Sequence, residues 1–165
     1  MYRPTTHLPD GLANELVACR QPADQAATLP ASCYVDPVVY QIEADTVFRQ
    51  GWVGVGRWDR WSEAGDYSAI DLAGVPVVVI RDNESQLRAF ANSCSHRSAE
   101  VMVGDGTCSR MRCPFHAWTY ALDGRLVAAP SMHRTENFER ADHGLHEFAV
   151  AERHGFVFVS LEETP

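Results

Sequence analysis

At 165 residues, 45% of them hydrophobic, the chain is long enough for one domain with an appendage or for two small domains around an ordinary core. Its net charge of −8, with all fourteen basic residues arginine, argues against a nucleic-acid partner, which needs a basic stretch. No run approaches the roughly eighteen apolar residues that span a bilayer. The opening MYRPTTHLPDGL also lacks the apolar core of a secretory signal, so a cytoplasmic protein without a membrane partner is expected.

In chain order, Leu12 to Cys19 predicts a short helix with Leu12, Leu16 and Cys19 on one face. Gln21 to Pro30 is rich in Ala and Pro and reads as a linker or docked arm. Asp36-Pro37 is a helix start, with Asp as N-cap and Pro at the first helical position. The helix is expected to run to about Arg49, with Val38, Val39, Ile42 and Phe48 as its apolar positions, and to end at Gly51. Residues 1–50 are therefore expected to form an N-terminal arm and helix, and residues 51–165 a separate domain.

From Trp52 the pattern turns to strands. Trp52 to Trp58 alternates with glycines, Tyr67 to Leu72 alternates apolar and polar residues, and Val75 to Ile80 is a continuous, largely β-branched run. Leu87 to Asn92 returns after the polar turn Asp82 to Ser85. Phe148 to Glu152 and Phe156 to Ser160 flank His154-Gly155 as a terminal hairpin. Ala73-Gly74 and Asp123-Gly124 are further tight-turn pairs. Short strands with turns every eight to twelve residues predict a mainly β, antiparallel sandwich or barrel.

Between those strands lies the stretch that carries chemistry, Asn92 to Pro130. It holds Cys94-Ser95-His96 and Cys113-Pro114-Phe115-His116, with sixteen residues between His96 and Cys113. Each half offers one thiolate and one imidazole, the donor set of a Rieske [2Fe–2S] centre. The short spacing within each half turns both donors toward one small target. The remaining cysteines, Cys19, Cys33 and Cys108, are expected to be free thiols in a reducing compartment.

The run C-x-H-R, followed by C-P-F-H-A-W-x-Y-x-x-D-G-R-L and a proline, resembles the Rieske domain of ring-hydroxylating and related Rieske oxygenase α-subunits. DPVVYQIEADTVFRQGWVGVGRW is similar to the helix and first strand that precede that core. The resemblance implies a Rieske-type antiparallel β-sandwich with two cluster-binding loops and a short N-terminal helical arm. It implies that Cys94 and Cys113 bind the inner iron and His96 and His116 the outer one, with Arg97 bracing the loop and Trp118 packing beneath it. It further implies electron transfer, with a reductase or ferredoxin as donor. The acceptor would be a mononuclear Fe(II) in a catalytic domain of the same or a neighbouring subunit, a domain expected to be absent from this chain. A standalone ferredoxin-like carrier is the alternative.

Two comparisons with high-potential respiratory Rieske proteins predict a low-potential centre. Their second pair of loop cysteines, joined as a disulfide, is replaced here by Ala99 and Phe115. Their hydroxyl donor two residues after the second histidine is replaced by Trp118, and fewer hydrogen bonds to sulfur disfavour the reduced cluster. Ser98 and Ala117 stand where the family usually has glycine, and would be strained if either position needs a positive φ.

Other readings of the donors are weaker. Two Cys and two His can close a zinc tetrahedron, but C-x-H with C-x-x-H is unusual zinc spacing. Cys108 and Cys113 open a plant-type ferredoxin pattern that fails at position 116, where histidine stands. Asp142, His143, His146 and Glu147 have the residue types of a two-histidine, one-carboxylate iron site. They are read, with the isolated His133 and His154, as a solvated loop.

Overall fold

A computed structural model describes residues 7–162. Residues 1–6 and 163–165, the outer ends of the two expected segments, lie outside the described residues. The chain divides into two compact units, residues 1–51 and 52–165.

The first unit is helical. Helix α1 spans Leu12–Cys19 and α2 spans Ser32–Val35, a turn that the sequence pattern did not announce. Helix α3, Pro37–Glu43, starts as the sequence predicts: the Asp36 carboxylate accepts from Val38 N at 2.8 Å, and Pro37 occupies the first turn. The expected single helix to Arg49 is not uniform, because Ala44–Phe48 is wound as a π-helix. The Asp45 carboxylate, nearly buried, accepts from Gln41 at 3.1 Å and from Arg49 at 2.7 Å within that stretch.

The second unit is antiparallel β. Its strands are β1 (Trp52–Arg57), β2 (Asp66–Leu72), β3 (Val75–Arg81), β4 (Leu87–Ala91), β5 (Asp105–Thr107), β6 (Met111–Arg112), β7 (Thr119–Tyr120), β8 (Leu126–Ala128), β9 (Glu147–Arg153) and β10 (Phe156–Ser160). Seven form one sheet in the order β1-β10-β9-β4-β3-β2-β5, and β6-β7-β8 form a second. The long strands match the expected stretches within a residue or two. The turn at Asp123-Gly124 joins β7 to β8 as its sequence predicts, but the bounds of the short β5 to β8 were not anticipated, because two- or three-residue strands carry too little periodicity to be seen.

Strand β3 explains its own sequence. Val77, Val78, Val79 and Ile80 are all fully buried, so the strand is apolar on both faces. Val78 and Ile80 join Phe90, Met111, Trp118, Tyr120 and Leu126 in one core. Val77 and Val79 join Trp61, Leu72, Val157 and Val159 in the other. The alternation of a strand assigns one set to each side, and Cys94 and Cys113 belong to the first core.

At the end of β3 the chain turns on Asp82. Its carboxylate accepts from Glu84 N and Gln86 N at 2.8 Å and pairs with Arg88 at 2.7 Å. Arg88 also reaches Glu147 on β9 at 2.9 Å. Burial raises the Asp82 carboxyl, but the Arg88 bond and the two backbone N–H bonds outweigh it and hold the group below its ordinary value.

Candidate iron–sulfur site

The two motif halves form loops of the same construction. In the first, Cys94 N donates to Ala99 O at 2.8 Å and Ser98 N donates to Cys94 O at 2.8 Å. In the second, Cys113 N donates to Trp118 O at 2.8 Å and Ala117 N donates to Cys113 O at 3.1 Å. The residue four places after each cysteine is left-handed in both: Ser98 at φ 55° and Ala117 at φ 57°. The positions where the family usually has glycine do require a positive φ, and this chain fills both with side-chain-bearing residues.

The first loop is closed at its base by Asn92, which is buried. Its carbonyl oxygen accepts from Val101 N at 3.1 Å and Met102 N at 2.9 Å, and its amide donates to Met102 O at 2.8 Å. The second loop is closed by the pairing of β6 with β7, Arg112 opposite Thr119.

These loops bring the four motif donors around one cavity of about 260 Å³, lined by Cys94, His96, Arg97, Ala99, Cys113, Phe115 and His116. The cysteines are 2% and 3% exposed, whereas His96 is half-buried and His116 exposed. The imidazoles lie edge to face with centroids 4.9 Å apart. Burial, then the charge of Arg97, then His116 lower the His96 pKa, which favours the neutral imidazole that ligates metal. Among the described residues no three His, Cys, Asp or Glu side chains converge on a point that could hold a single ion. Two buried thiols and two more-exposed imidazoles around one cavity suit a two-iron cluster with two ligands per iron.

Tyr120 is the residue that sequence reasoning missed. Its hydroxyl, fully buried, lies 3.2 Å from Cys94 Sγ and accepts from Ser95 N at 3.1 Å. Ser95 Oγ lies 3.0 Å from it and donates its own proton to His143 O at 2.7 Å. With the Ser95 proton used on His143 O, the single phenolic proton is shared between Ser95 Oγ and Cys94 Sγ, and a Cys94 thiolate could only accept it. Burial, then the bond to Cys94, push the Tyr120 phenol up to about 12, so it keeps that proton. Trp118 does stand where the respiratory proteins place their hydroxyl donor, and Tyr120, two residues on, adds a hydroxyl beside the Cys94 sulfur that the expectation of fewer hydrogen bonds did not count. The C-P-F-H-A-W-T-Y run contains it, and only the β6–β7 pairing shows where it points.

Trp118 is buried and stacks on His96, with centroids 4.8 Å apart and planes 10° from parallel. Arg97 is exposed and makes no ion pair among the described residues. The solvated-loop reading fails for His143, which is half-buried, stacked on Phe138 at 4.7 Å and edge-on to Trp118 at 5.7 Å. Its companions are dispersed: Glu147 pairs with Arg88, His146 packs against Phe148, and Asp142 is exposed. His133 is also exposed, and His154 sits in the β9–β10 turn at φ 52°. A larger open groove of about 500 Å³ runs past Asp123, Arg125, Arg140 and Leu145 and contains none of the motif donors.

Comparison with known proteins agrees with this geometry. The family description "Rieske [2Fe-2S] domain" matches residues 51–139. Choline monooxygenase, chloroplastic, of Arabidopsis thaliana is 39% identical over 140 residues, covering 85% of this chain and 33% of that protein. A solved quaternary ammonium Rieske monooxygenase, described with carnitine oxidation by gut microbiota and inter-subunit electron transfer, is 34% identical with a TM-score of 0.77. It covers 84% of this chain and 38% of its own. Naphthalene 1,2-dioxygenase from Rhodococcus sp. bound to indole is 29% identical with a TM-score of 0.80, over 93% of this chain and 35% of that one. The chain thus spans between 33% and 38% of the length of these proteins.

Proposed function

The chain belongs to the Rieske [2Fe-2S] domain family, and on that premise we propose that it performs one-electron transfer within a Rieske oxygenase of the quaternary ammonium monooxygenase kind. The cofactor of the family is a [2Fe–2S] cluster, and Cys94 and Cys113 would hold one iron, His96 and His116 the other. When bound, such a cluster takes up and releases single electrons. The observation that carries the reading is the layered donor set around one cavity, with two buried thiols beneath two more open imidazoles.

The chain's own residues have distinct tasks in this reading. The core around Cys94 and Cys113 keeps water from the sulfurs, and the Tyr120 hydroxyl is placed to donate to a ligating Cys94 thiolate, which has no proton of its own. His96 and His116 face outward, so a donor reductase or ferredoxin, and an acceptor catalytic domain, would approach from the imidazole side. With a hydroxyl on one sulfur but alanine and phenylalanine at the disulfide positions, the potential is proposed to stay low. The compact units support a division into an arm over residues 1–50 and a Rieske domain over 51–165. Cys19, Cys33 and Cys108, neither proposed ligands nor disulfide-bonded, support a reducing compartment such as the cytoplasm. No helix among the described residues is long and apolar enough to cross a membrane.

On substrate, the more identical relatives act on choline or carnitine by name, and the less identical one on naphthalene, so a quaternary amine is proposed ahead of an aromatic ring. The first test is EPR of the anaerobic, dithionite-reduced protein, with iron, sulfide and zinc analysis. A reduced Rieske signal with equal iron and sulfide is expected. A silent spectrum with one zinc per chain would overturn the proposal.

A further inference from the structure

The described residues around His96 form a continuous aromatic assembly, only part of which lies in the two motif loops. His96 is stacked on Trp118, centroids 4.8 Å apart and planes 10° from parallel. Trp118 in turn has two rings set edge-on to it, Phe138 at 5.6 Å and His143 at 5.7 Å. Those two are stacked on each other at 4.7 Å and 16°. The segment that carries them is also tied to the first loop, because Ser95 Oγ donates to His143 O at 2.7 Å. His143 lies beyond the matched family region, which ends at residue 139.

We propose that Trp118 is a positioning residue that fixes the plane of the His96 imidazole, and that the Phe138–His143 stack sets where Trp118 lies. This rests on the reading of His96 as an iron ligand. The physical basis is rotational. An imidazole bound through one nitrogen is free to turn about that bond unless something holds its face, and an indole parallel to it restricts the turn. Trp118 is itself buried, with Phe138 and His143 packed edge-on against it. Two chain segments outside the first loop, the second loop directly and residues 138–143 through Trp118, therefore act on the His96 ring. His143 enters through its flat face and its backbone carbonyl, so the role needs an aromatic ring at that position and not an ionisable one.

The test compares Phe138→Leu, His143→Ala and His143→Phe with the unaltered protein, each loaded with cluster and shown by circular dichroism to keep its fold. EPR g-values of the reduced protein report the orientation and bonding of the ligands. The rate of iron loss to a chelator reports how firmly they are held. Phe138→Leu and His143→Ala are expected to displace the g-values and to speed iron loss by about tenfold or more, in line with losses of outer partners at metal sites. His143→Phe is expected to restore both. A merely structural role would lower the melting temperature without moving the g-values. If the loaded parent shows a Rieske signal and all three variants share its g-values and iron-loss rate, the positioning role is wrong while the ligand assignment stands. A parent without iron or sulfide would instead sink the ligand assignment and the positioning role with it.

Discussion

The Tyr120 hydroxyl stands 3.2 Å from Cys94 Sγ, fully buried, with Ser95 N donating to the same oxygen at 3.1 Å. A hydrogen bond to a cluster sulfur favours the reduced, more negative state. Tyr120→Phe is therefore expected to keep iron and sulfide but to lower the reduction potential. One such bond is worth about 1 kcal/mol, roughly 40 mV for one electron. A redox titration followed by EPR or visible circular dichroism checks this, and an unchanged or raised potential would contradict it.

The matched left-handed residues predict an unusual direction of change. Ser98 at φ 55° and Ala117 at φ 57° each carry a Cβ that the conformation disfavours. Ser98→Gly and Ala117→Gly are expected to stabilise the protein by about 0.5–1 kcal/mol each, net of glycine's added freedom in the unfolded chain. Thermal melts should rise by a few degrees, and lower melting temperatures would argue that the loops are not strained.

The reverse holds at Gly124, in the predicted Asp123-Gly124 turn. Its φ is 83°, and an added Cβ would meet Phe90 Cε1 at 2.5 Å. Phe90 is 1% exposed and has no room to retreat. Gly124→Ala is expected to cost about 2–4 kcal/mol, read by urea denaturation.

Cysteine variants separate the proposed ligands from bystanders. Cys113→Ser should abolish the cluster, whereas Cys108→Ser, partly buried and outside the donor cavity, should leave iron and sulfide in place. His116→Cys should shift the spectrum and lower the potential, since a thiolate adds negative charge. Full iron and sulfide in Cys113→Ser would refute the assignment.

Acid should act through Asp82. Its folded-state pKa is depressed, so the stability it contributes is present above the ordinary unfolded value of about 3.9 and is lost as pH falls through the folded value. Asp82→Asn should cost about 1–3 kcal/mol at neutral pH, because the Arg88 pair and part of the turn are lost. Its stability should then fall less steeply than the parent's below about pH 4. Denaturation at equal cluster loading, repeated across pH, would show parallel curves if Asp82 played no part.

What the sequence determined by itself was local. Cys94 with His96, and Cys113 with His116, are kept within a loop of each other by the chain, so their spacing announced the donor set before any fold was known. The Asp36-Pro37 cap and the long strands are equally local, being matters of one turn or one period. The unbroken Val75 to Ile80 run likewise announced a strand, though not that its two faces are buried in two different cores. Which hydroxyl reaches Cys94, which indole faces His96, and that Phe138 and His143 close behind it were decided only by tertiary structure. Tyr120 is twenty-six residues from Cys94, and His143 is forty-eight from Ser95. Contacts at that separation exist only after β4, β6, β7 and β9 have been set in register by pairing and core packing, and no periodicity within the chain encodes the result.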